Sequence, residues 1–314
     1  MDDAPFALRA VGLTKRYGSG ETGLLAVDHI DFEVGHGEVF GFLGPNGAGK
    51  TTTIRMLTGL ARPTGGSVSI LGLDLARDLP RIKKQIGVVP ENSNLYDELT
   101  AFDNLVFSMQ LYGVPRRARA GRAEDLLARF RLREKRDVRF GRLSRGMRRA
   151  LTIATALAHH PSLVFLDEPT TGLDVVSARS LRQMVAALRD QGVTVFLTTH
   201  YLEEAERLCD RIALMVGGRI VALDTVDALK ARSQGAAAIE ITLESKDRRG
   251  VPEVRRLVGA DLESLIAQAM SDARTEGRRV LALDTIRPNL EDVFVQLTGL
   301  NADVMRSEKS GQAK

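Results

Sequence analysis

The sequence predicts an α/β fold with a mostly parallel sheet at its core, followed by a small α+β domain. Short apolar runs alternate with helical patterns, and a glycine-rich turn joins a strand-like run to a helical one. Near residue 233 the pattern changes to a separate set of strands and helices. A chain of 314 residues, 44% of them hydrophobic, is long enough for one large domain and one small domain.

The strands of the core are predicted from short runs rich in apolar, β-branched and aromatic residues. Residues 6–13 and 27–43 resemble strands that lead into the glycine-rich turn, and a helix is expected at about residues 51–59. Further strand-like runs cover residues 68–71, 86–89, 163–166, 193–197 and 212–215. Helical spacing with one apolar face is shown by Leu181, Met184, Val185 and Leu188.

The chain divides into three predicted parts. The large domain covers residues 1–232 and contains an inserted helical subdomain at about residues 99–158, where no convincing strand pattern is found. The small domain covers residues 233–304, with strands at 238–243 and 279–284, a helix within 253–274 and another helix at 289–297. The polar residues 305–314 are expected to be disordered.

Composition and charge exclude several classes of protein. A single cysteine, Cys209, excludes an internal disulfide framework and a multi-cysteine metal site, so a reducing compartment is expected. No run approaches the roughly 20 apolar residues that span a bilayer, and Asp2 and Asp3 do not resemble the start of a signal peptide. Much of the net charge of +4 comes from arginines between Arg116 and Arg149. This segment is either a polyanion-binding patch or a solvated helical surface, and the lack of interleaved aromatic residues favours the surface.

A phosphate-binding loop is predicted where the glycine-rich turn joins strand and helix. Its glycines let backbone amides point toward phosphates, and the helix that follows favours negative charge at its N-terminus. Lys50 would neutralise the β and γ phosphates, and the Thr51 hydroxyl would ligate Mg²⁺. The loop comprises Gly44, Pro45, Asn46, Gly47, Ala48, Gly49, Lys50, Thr51 and Thr52.

Acidic and histidine side chains follow two other predicted strands. The run 163–166 places Asp167 at the carboxyl end of a strand, where it could hold Mg²⁺, and the adjacent Glu168 could polarise an attacking water. His200 follows Thr198 and Thr199 at the end of another strand and is a candidate hydrogen-bond donor to the γ phosphate. Lys50, Glu168 and His200 are therefore the predicted catalytic residues.

The order and spacing of these motifs resemble the ABC ATPase family over about residues 6–230. Two more segments carry the resemblance, Leu143 to Met147 and Thr171 to Asp174. The resemblance implies that ATP and Mg²⁺ are bound and that two chains form a homodimer enclosing two ATP molecules. In it, Asp174 would couple the two sites, and Tyr17 would stack on adenine unless it only packs near a strand end. The signature segment that would cap the nucleotide of the opposite subunit comprises Ser144, Arg145, Gly146 and Met147.

The chain departs from the common family pattern at two positions. Glu91, after Pro90, stands where glutamine is usual, and it could still reach Mg²⁺ or the attacking water. Arg145 stands where glycine is commonest, and its cation could either support a phosphate or pack away from it. Both alternatives for Arg145 are left open by the sequence.

The segment from Pro288 to Gly299 resembles the ending of ATPase subunits of daunorubicin-resistance-type exporters. This resemblance implies export of a drug-like, antibiotic or lipid-like substrate through a separate polytopic membrane permease, with the chain at the cytoplasmic face of the cell membrane. Residues 91–103 are the predicted permease contact. The alternative is a soluble ABC ATPase acting on nucleic acid or ribosomes, supported only by the arginine-rich segment; we expect no stable nucleic-acid binding. GTP is not expected, because the sequence has no Asn-Lys-x-Asp motif.

Overall fold

The computed structural model describes residues 5–18, 23–232, 237–245, 250–259, 261–286 and 289–300, which form three sheets and the helices between their strands. The strands are β1 Leu8–Tyr17, β2 Leu24–Val34, β3 Val39–Leu43, β4 Gly65–Ile70, β5 Leu73–Asp74, β6 Ile86–Val89, β7 Leu163–Asp167, β8 Thr194–Thr199, β9 Arg211–Val216, β10 Arg219–Thr225, β11 Ala237–Leu243, β12 Glu253–Gly259 and β13 Val280–Ile286. The helices are α1 Lys50–Leu57, α2 Leu79–Lys83, α3 Ala101–Leu111, α4 Arg116–Arg129, α5 Arg145–Ala156, α6 Val175–Asp190, α7 Leu202–Leu208, α8 Val226–Arg232, α9 Leu262–Thr275 and α10 Leu290–Thr298.

A six-stranded sheet with the order β10-β9-β3-β8-β7-β6 forms the centre of the first unit. Strands β9, β3, β8, β7 and β6 are parallel, and β10 is antiparallel to β9 at one edge. The carboxyl ends of β3, β8, β7 and β6 therefore meet at one edge of the sheet, the usual position of ligand sites in such folds. The predicted α/β fold is confirmed.

A second, antiparallel sheet with the order β2-β1-β4-β5 packs against this central sheet through aromatic side chains. Phe32 of β2 lies 5.9 Å from the ring of Phe40 and 5.4 Å from that of Phe42, both on β3. The rings of Phe196 on β8 and Phe165 on β7 are 5.5 Å apart and extend the same cluster. This core holds β3, β7 and β8 in fixed relation, so the loops at their carboxyl ends start from a rigid base.

Two further predictions concern helices of the first unit, namely the apolar face of α6 and the helical segment 99–158. Of the four residues on the predicted apolar face of α6, Leu181, Val185 and Leu188 are buried and Met184 is half-buried. Residues 99–158 contain α3, α4, α5 and two short 3₁₀ turns, with a single isolated bridge, between Thr100 and Arg139, instead of a strand. None of the described helices combines the length and the apolarity that crossing a membrane requires.

The second unit begins at Asp227, whereas the boundary predicted from the sequence follows residue 232. Its sheet, β12-β11-β13, is antiparallel, and α9 packs on one face of it. The core between them contains Ile239, Ile241, Leu243, Leu265 and Ala269. The predicted boundary segment 233–236, Pro288 and the predicted disordered tail lie outside the described residues.

Three strands were not predicted from the sequence: β5, which is only two residues long, β10 and β12. β12 occupies the first part of a segment for which only a helix was predicted. The strand was not recognised because Val254, Leu257 and Val258 continue the apolar spacing of α9 toward the N-terminus, past Gly259. β10 forms a hairpin with β9 across Gly217 and Gly218, whose φ angles are 55° and 82°. Two adjacent glycines with positive φ are typical of a two-residue hairpin turn, and this signal was present in the sequence.

Candidate active site

The predicted phosphate-binding loop connects β3 to the first residue of α1. A Cβ atom on Gly44 would lie 2.1 Å from the Met215 carbonyl oxygen, and one on Gly49 would lie 2.5 Å from the Ala26 carbonyl oxygen. Gly47 has a φ of 82°, and a Cβ built there would meet no atom within 4 Å. The loop is therefore pressed against β2 and β9 on one side and open at Gly47 on the other, as a phosphate cradle requires.

The other residues of the loop lie in the same turn. The amide of Ala48, which is buried, donates to the Pro45 carbonyl at 3.1 Å, and Asn46 is exposed at the tip. Thr51 and Thr52 follow in the first turn of α1, half-buried. The structure thus gathers the predicted loop residues around the N-terminus of one helix.

Lys50 is buried at the start of α1 and lies between the loop and the acidic residues after β7. Its ammonium donates to the Gly44 carbonyl at 2.5 Å and forms an ion pair with Glu168 Oε1 at 3.4 Å. Burial lowers the pKa of Lys50, while the charge of Glu168 opposes this shift. A cation held here is able to meet the phosphates of a nucleotide on the loop.

Asp167 is the last residue of β7 and accepts two hydroxyl hydrogen bonds on one oxygen. Thr198 Oγ1 donates to Asp167 Oδ1 at 2.6 Å, and Thr51 Oγ1 donates to the same oxygen at 3.5 Å. Burial raises the pKa of Asp167, and the nearby negative charge of Glu168 adds to this effect, whereas the Thr198 hydrogen bond opposes it. A cation placed beside this carboxylate would relieve the cost of burying its charge.

Glu168 occupies a tight turn directly after β7. Its φ of 45° lies in the left-handed region, which costs a non-glycine residue on the order of 1 kcal/mol. The backbone amide of Glu168 donates to Thr198 Oγ1 at 3.0 Å, and its Oε2 lies 2.8 Å from His200 Nδ1. Burial by itself raises the pKa of Glu168, but the hydrogen bond with His200 and the charge of Lys50 together bring the pKa below its ordinary value. Glu168 is thus held ionised, in the form that can accept a proton from water.

A buried glutamate joins the loop after Glu168 to the strand end before His200. Glu204 of α7 accepts hydrogen bonds on Oε2 from Thr170 Oγ1 at 2.5 Å and from Thr199 Oγ1 at 3.3 Å. Burial raises the pKa of Glu204, an effect that the two hydroxyl donors oppose. The roles of Glu204 and Thr198 were not predicted from the sequence, because neither is visible without the packing of α7 and β8 against β7.

This contact predicts a difference between two substitutions of Glu204. Glu204→Leu leaves the hydroxyls of Thr170 and Thr199 without their buried acceptor, so the free energy of unfolding should fall by about 2–3 kcal/mol. Glu204→Gln keeps an acceptor and should lower it by less than about 1 kcal/mol. Denaturant-induced unfolding of the two variants measures the difference, and equal losses would contradict the hydrogen-bonding role.

The predicted signature segment forms the start of α5. Ser144 is the N-cap, and its Oγ accepts a hydrogen bond from the Met147 amide at 3.3 Å. A Cβ atom on Gly146 would lie 2.4 Å from Ser177 Oγ, so glycine is needed where α5 meets α6. A cavity of about 440 Å³ next to the segment is lined by residues that include Ser144, Gly146 and Met147.

Arg145 packs on the loop after Glu168 in its own chain. A Cβ atom on Gly172 would lie 2.0 Å from Arg145 Nη2, and the same nitrogen is 3.5 Å from the Thr171 carbonyl. Within one chain, the guanidinium of Arg145 thus contacts the loop after Glu168, and both alternatives for its role stay predictions. The exposed side chain of Arg145 still lies at the N-terminus of α5.

Asp174 and Tyr17 lie at exposed positions of the first unit. Asp174 is the N-cap of α6 and accepts from the Ser177 amide and the Ser177 hydroxyl, both at 2.8 Å, and these bonds lower its pKa. Tyr17 ends β1, is 40% exposed and pairs with Leu24. The ammonium of Lys15 lies 4.9 Å from the centroid of the Tyr17 ring. Within one chain, the hydrogen bonds of Asp174 are thus those of a helix N-cap.

Glu91 follows β6 at the edge of the sheet that carries Lys50 and Asp167. Its side chain is exposed, and its charge acts on the pKa of Lys50 and of Asp167. The Glu91 carbonyl accepts from Arg149 Nη1 at 3.2 Å. Within the described residues, no group of three or more His, Cys, Asp or Glu side chains is placed to hold a metal ion.

Several arginines of the basic segment are used inside the fold. Arg119 donates to the Val114 carbonyl at 2.7 Å, Arg122 donates to the Leu157 carbonyl at 2.9 Å, and Arg136 pairs with Glu124 at 2.7 Å. Because each of these three arginines bonds to another residue of its own chain, we assign them structural roles. These contacts agree with the interpretation of the segment as a helical surface.

The sequence profile of the ABC transporter family matches residues 27–171. A daunorubicin resistance ATP-binding protein of Streptomyces coeruleorubidus is 39% identical, over 94% of this chain and 95% of its own length. A linearmycin resistance ATP-binding protein of Bacillus subtilis is 34% identical over 93% and 98%. A Nod factor export ATP-binding protein of Mesorhizobium japonicum is 39% identical over 93% and 87%.

Solved structures agree with these relatives. A dimeric ATP-binding cassette in a post-hydrolysis state, bound to ADP and Pi, has a TM-score of 0.64 and 27% identity, covering 69% of this chain and 98% of its own. An ATP-binding subunit of an ABC transporter has a TM-score of 0.65 and 28% identity, covering 84% and 99%. With the arrangement of Lys50, Asp167, Glu168 and His200 at one sheet edge, these matches show that the chain belongs to the family of ABC transporter ATP-binding proteins and is an ATP-hydrolysing subunit.

Proposed function

We propose that the chain powers export of an apolar or amphiphilic small molecule through a separate membrane permease. The observation that carries this proposal is the similarity to drug-resistance and Nod factor export ATP-binding proteins along more than nine-tenths of this chain, which includes the second unit. The relatives named for antibiotics and for Nod factor suggest a drug-like, antibiotic or lipid-like cargo. In this proposal the chain works at the cytoplasmic face of the membrane, bound to its permease.

The proposed chemistry assigns one task to each residue of the site. Lys50 and the amides of the loop from Gly44 to Thr52 bind the phosphates of ATP. The Glu168 carboxylate orients the attacking water and accepts its proton, since its contacts hold it ionised. His200, fixed through Nδ1 against Glu168, presents its other ring nitrogen toward the γ phosphate.

Mg²⁺ is the proposed metal, and the donor set fits it. Thr51 Oγ1 and Asp167 Oδ1 are 3.5 Å apart, so both can lie at about 2.1 Å from one ion, whose remaining positions are usually filled by phosphate and water. Glu91 is the third proposed ligand and the second acidic one, after Asp167. When bound, Mg²⁺ would neutralise charge on the phosphate oxygens.

A homodimer is proposed because the signature segment lies open at the surface. Ser144 and Arg145 are exposed at the N-terminus of the twelve-residue helix α5, where helix dipole and free amides favour an anion. A related cassette at 27% identity is dimeric. ATP bound to one chain would meet this segment of the other, with Asp174 at the junction and Tyr17 beside the adenine.

The proposal is tested by expressing a tagged chain at native level and identifying the proteins that copurify with it from solubilised membranes. A polytopic membrane protein in stoichiometric amount is expected, and its yield should fall when the predicted contact residue Tyr96, which is exposed, is replaced by Ala. Leu111→Ala, a change at an exposed apolar residue outside that contact, serves as the matched control. Recovery of nucleic acid or ribosomes without a membrane protein would overturn the export proposal.

A further inference from the structure

Arg149 is a buried arginine on α5, 7% exposed, and its guanidinium is surrounded by backbone carbonyls. Nε donates to the Pro169 carbonyl and Nη2 to the Asp167 carbonyl, each at 2.9 Å. Nη1 donates to the carbonyls of Pro90 and Glu91. One side chain therefore joins α5 to the loop after β6, to the end of β7 and to the loop that follows Glu168.

Within the described part of the chain, all four hydrogen bonds of Arg149 go to backbone carbonyls and none to a carboxylate, which is unusual for a buried cation. Burial lowers the pKa of Arg149 to about 10, a shift that the charges of Asp167, Glu91 and Glu168 oppose, and the group remains protonated near pH 7. The cation thus pays a desolvation cost at the position where the acidic residues of the ATP site converge. A purely apolar contact between α5 and β7 would avoid this cost.

Other contacts along α5 join the same segments. The hydroxyl of Thr152, one turn beyond Arg149, lies 2.9 Å from Ser93 Oγ in the loop after β6. Gly146 packs on Ser177, and Arg145 packs on Gly172 in the loop between β7 and α6. The first half of α5 is therefore attached on one side to the Glu91 loop and on the other to the segment that follows Glu168.

We propose that Arg149 is a positioning residue that couples the signature helix α5 to the ATP site of its own chain. Its planar fork fixes the carbonyls of Glu91, Asp167 and Pro169 relative to one another, so a shift at the phosphates moves α5, and with it Ser144 and Gly146. The guanidinium has five donors in one plane and can serve all these carbonyls at once, which an ammonium on a lysine cannot do. This inference rests on the residue roles proposed above.

The test compares steady-state ATP hydrolysis and equilibrium ATP binding in Arg149→Gln, Arg149→Lys and the unaltered chain. With Arg149→Gln, kcat should fall by about tenfold or more while KM for ATP changes by less than about threefold, because the phosphate loop is untouched. Arg149→Lys restores the charge without the fork and should recover only part of kcat. The matched control is Arg119→Gln, which removes the hydrogen bond from Arg119 on α4 to the Val114 carbonyl and should leave kcat unchanged.

A loss confined to the free energy of unfolding, with kcat per folded molecule unchanged, would overturn the positioning role. A rise in KM at constant kcat, or full recovery in Arg149→Lys, would also overturn it. If Arg149→Gln does not fold, the kcat of Arg149→Lys decides by itself. The unaltered chain must hydrolyse ATP in the same assay, and Glu168→Gln, measured beside it, tests the proposed residue roles separately from the Arg149 variants.

Discussion

Glu168→Gln is expected to lower the rate of ATP hydrolysis by about 10²–10⁴-fold, the range typical of general base catalysis. The amide has the same shape as the carboxylate and can keep the contact with His200, which is 2.8 Å long in the unaltered chain. It cannot accept a proton from the attacking water. Phosphate release under saturating ATP measures the effect, and a separate equilibrium titration measures nucleotide binding.

ATP affinity should remain the same or increase in this variant, because replacing Glu168 removes a negative charge that lies 3.4 Å from the Lys50 ammonium. Glu203→Gln provides the matched control, since Glu203 is an exposed glutamate on α7, beside the same site but outside it. The control should hydrolyse ATP at the unaltered rate. Undiminished turnover in Glu168→Gln would contradict the assignment of Glu168 as the base.

The location of the site was predictable from the sequence because it depends on local order. A glycine-rich turn between a strand and a helix, and polar residues directly after apolar strands, place Lys50, Asp167, Glu168 and His200 at the carboxyl edge of one parallel sheet. Strand order was not needed for that conclusion. The four side chains meet in the structure, although they are far apart in the chain.

The contacts that hold the site together were not predictable in the same way. Thr198 binds Asp167 and the Glu168 amide only because β7 and β8 are neighbours in register. Arg149 is one of many arginines in a basic segment, and nothing in the neighbouring residues indicated that its guanidinium is buried. Such roles depend on long-range packing, which the spacing of residues along the chain does not reveal.

The error in the second unit has a local cause. Val254, Leu257 and Val258 have helical spacing, yet they lie on β12, where Val254 and Val258 are 55% and 60% exposed and Leu257 packs against the core. The period of two was hidden because apolar residues occupy the exposed face of this strand as well. Asp261, which caps α9 by accepting from the Ser264 amide at 2.8 Å, marks where the helix begins.

Lys50→Met is the second prediction with a large expected effect, and it acts on binding instead of turnover. Methionine has a similar length but no charge, so the phosphates lose a charged donor worth about 1.5–3 kcal/mol, or about tenfold to a hundredfold in ATP affinity. The pKa of Glu168 should also rise, because the charge of Lys50 is one of the causes that lower it. Equilibrium binding of ATP measures the first effect.

Lys84→Met is the control, because Lys84 is an exposed lysine at the end of α2 and lies outside the ATP site. It should bind ATP as the unaltered chain does. Lys50→Met with unchanged ATP affinity would contradict the phosphate-binding role. The two variants separate the site into its parts: Glu168→Gln should bind ATP without hydrolysing it, whereas Lys50→Met should lose hydrolysis because it loses binding. A Glu168→Gln chain that fails to bind ATP would contradict this separation of roles.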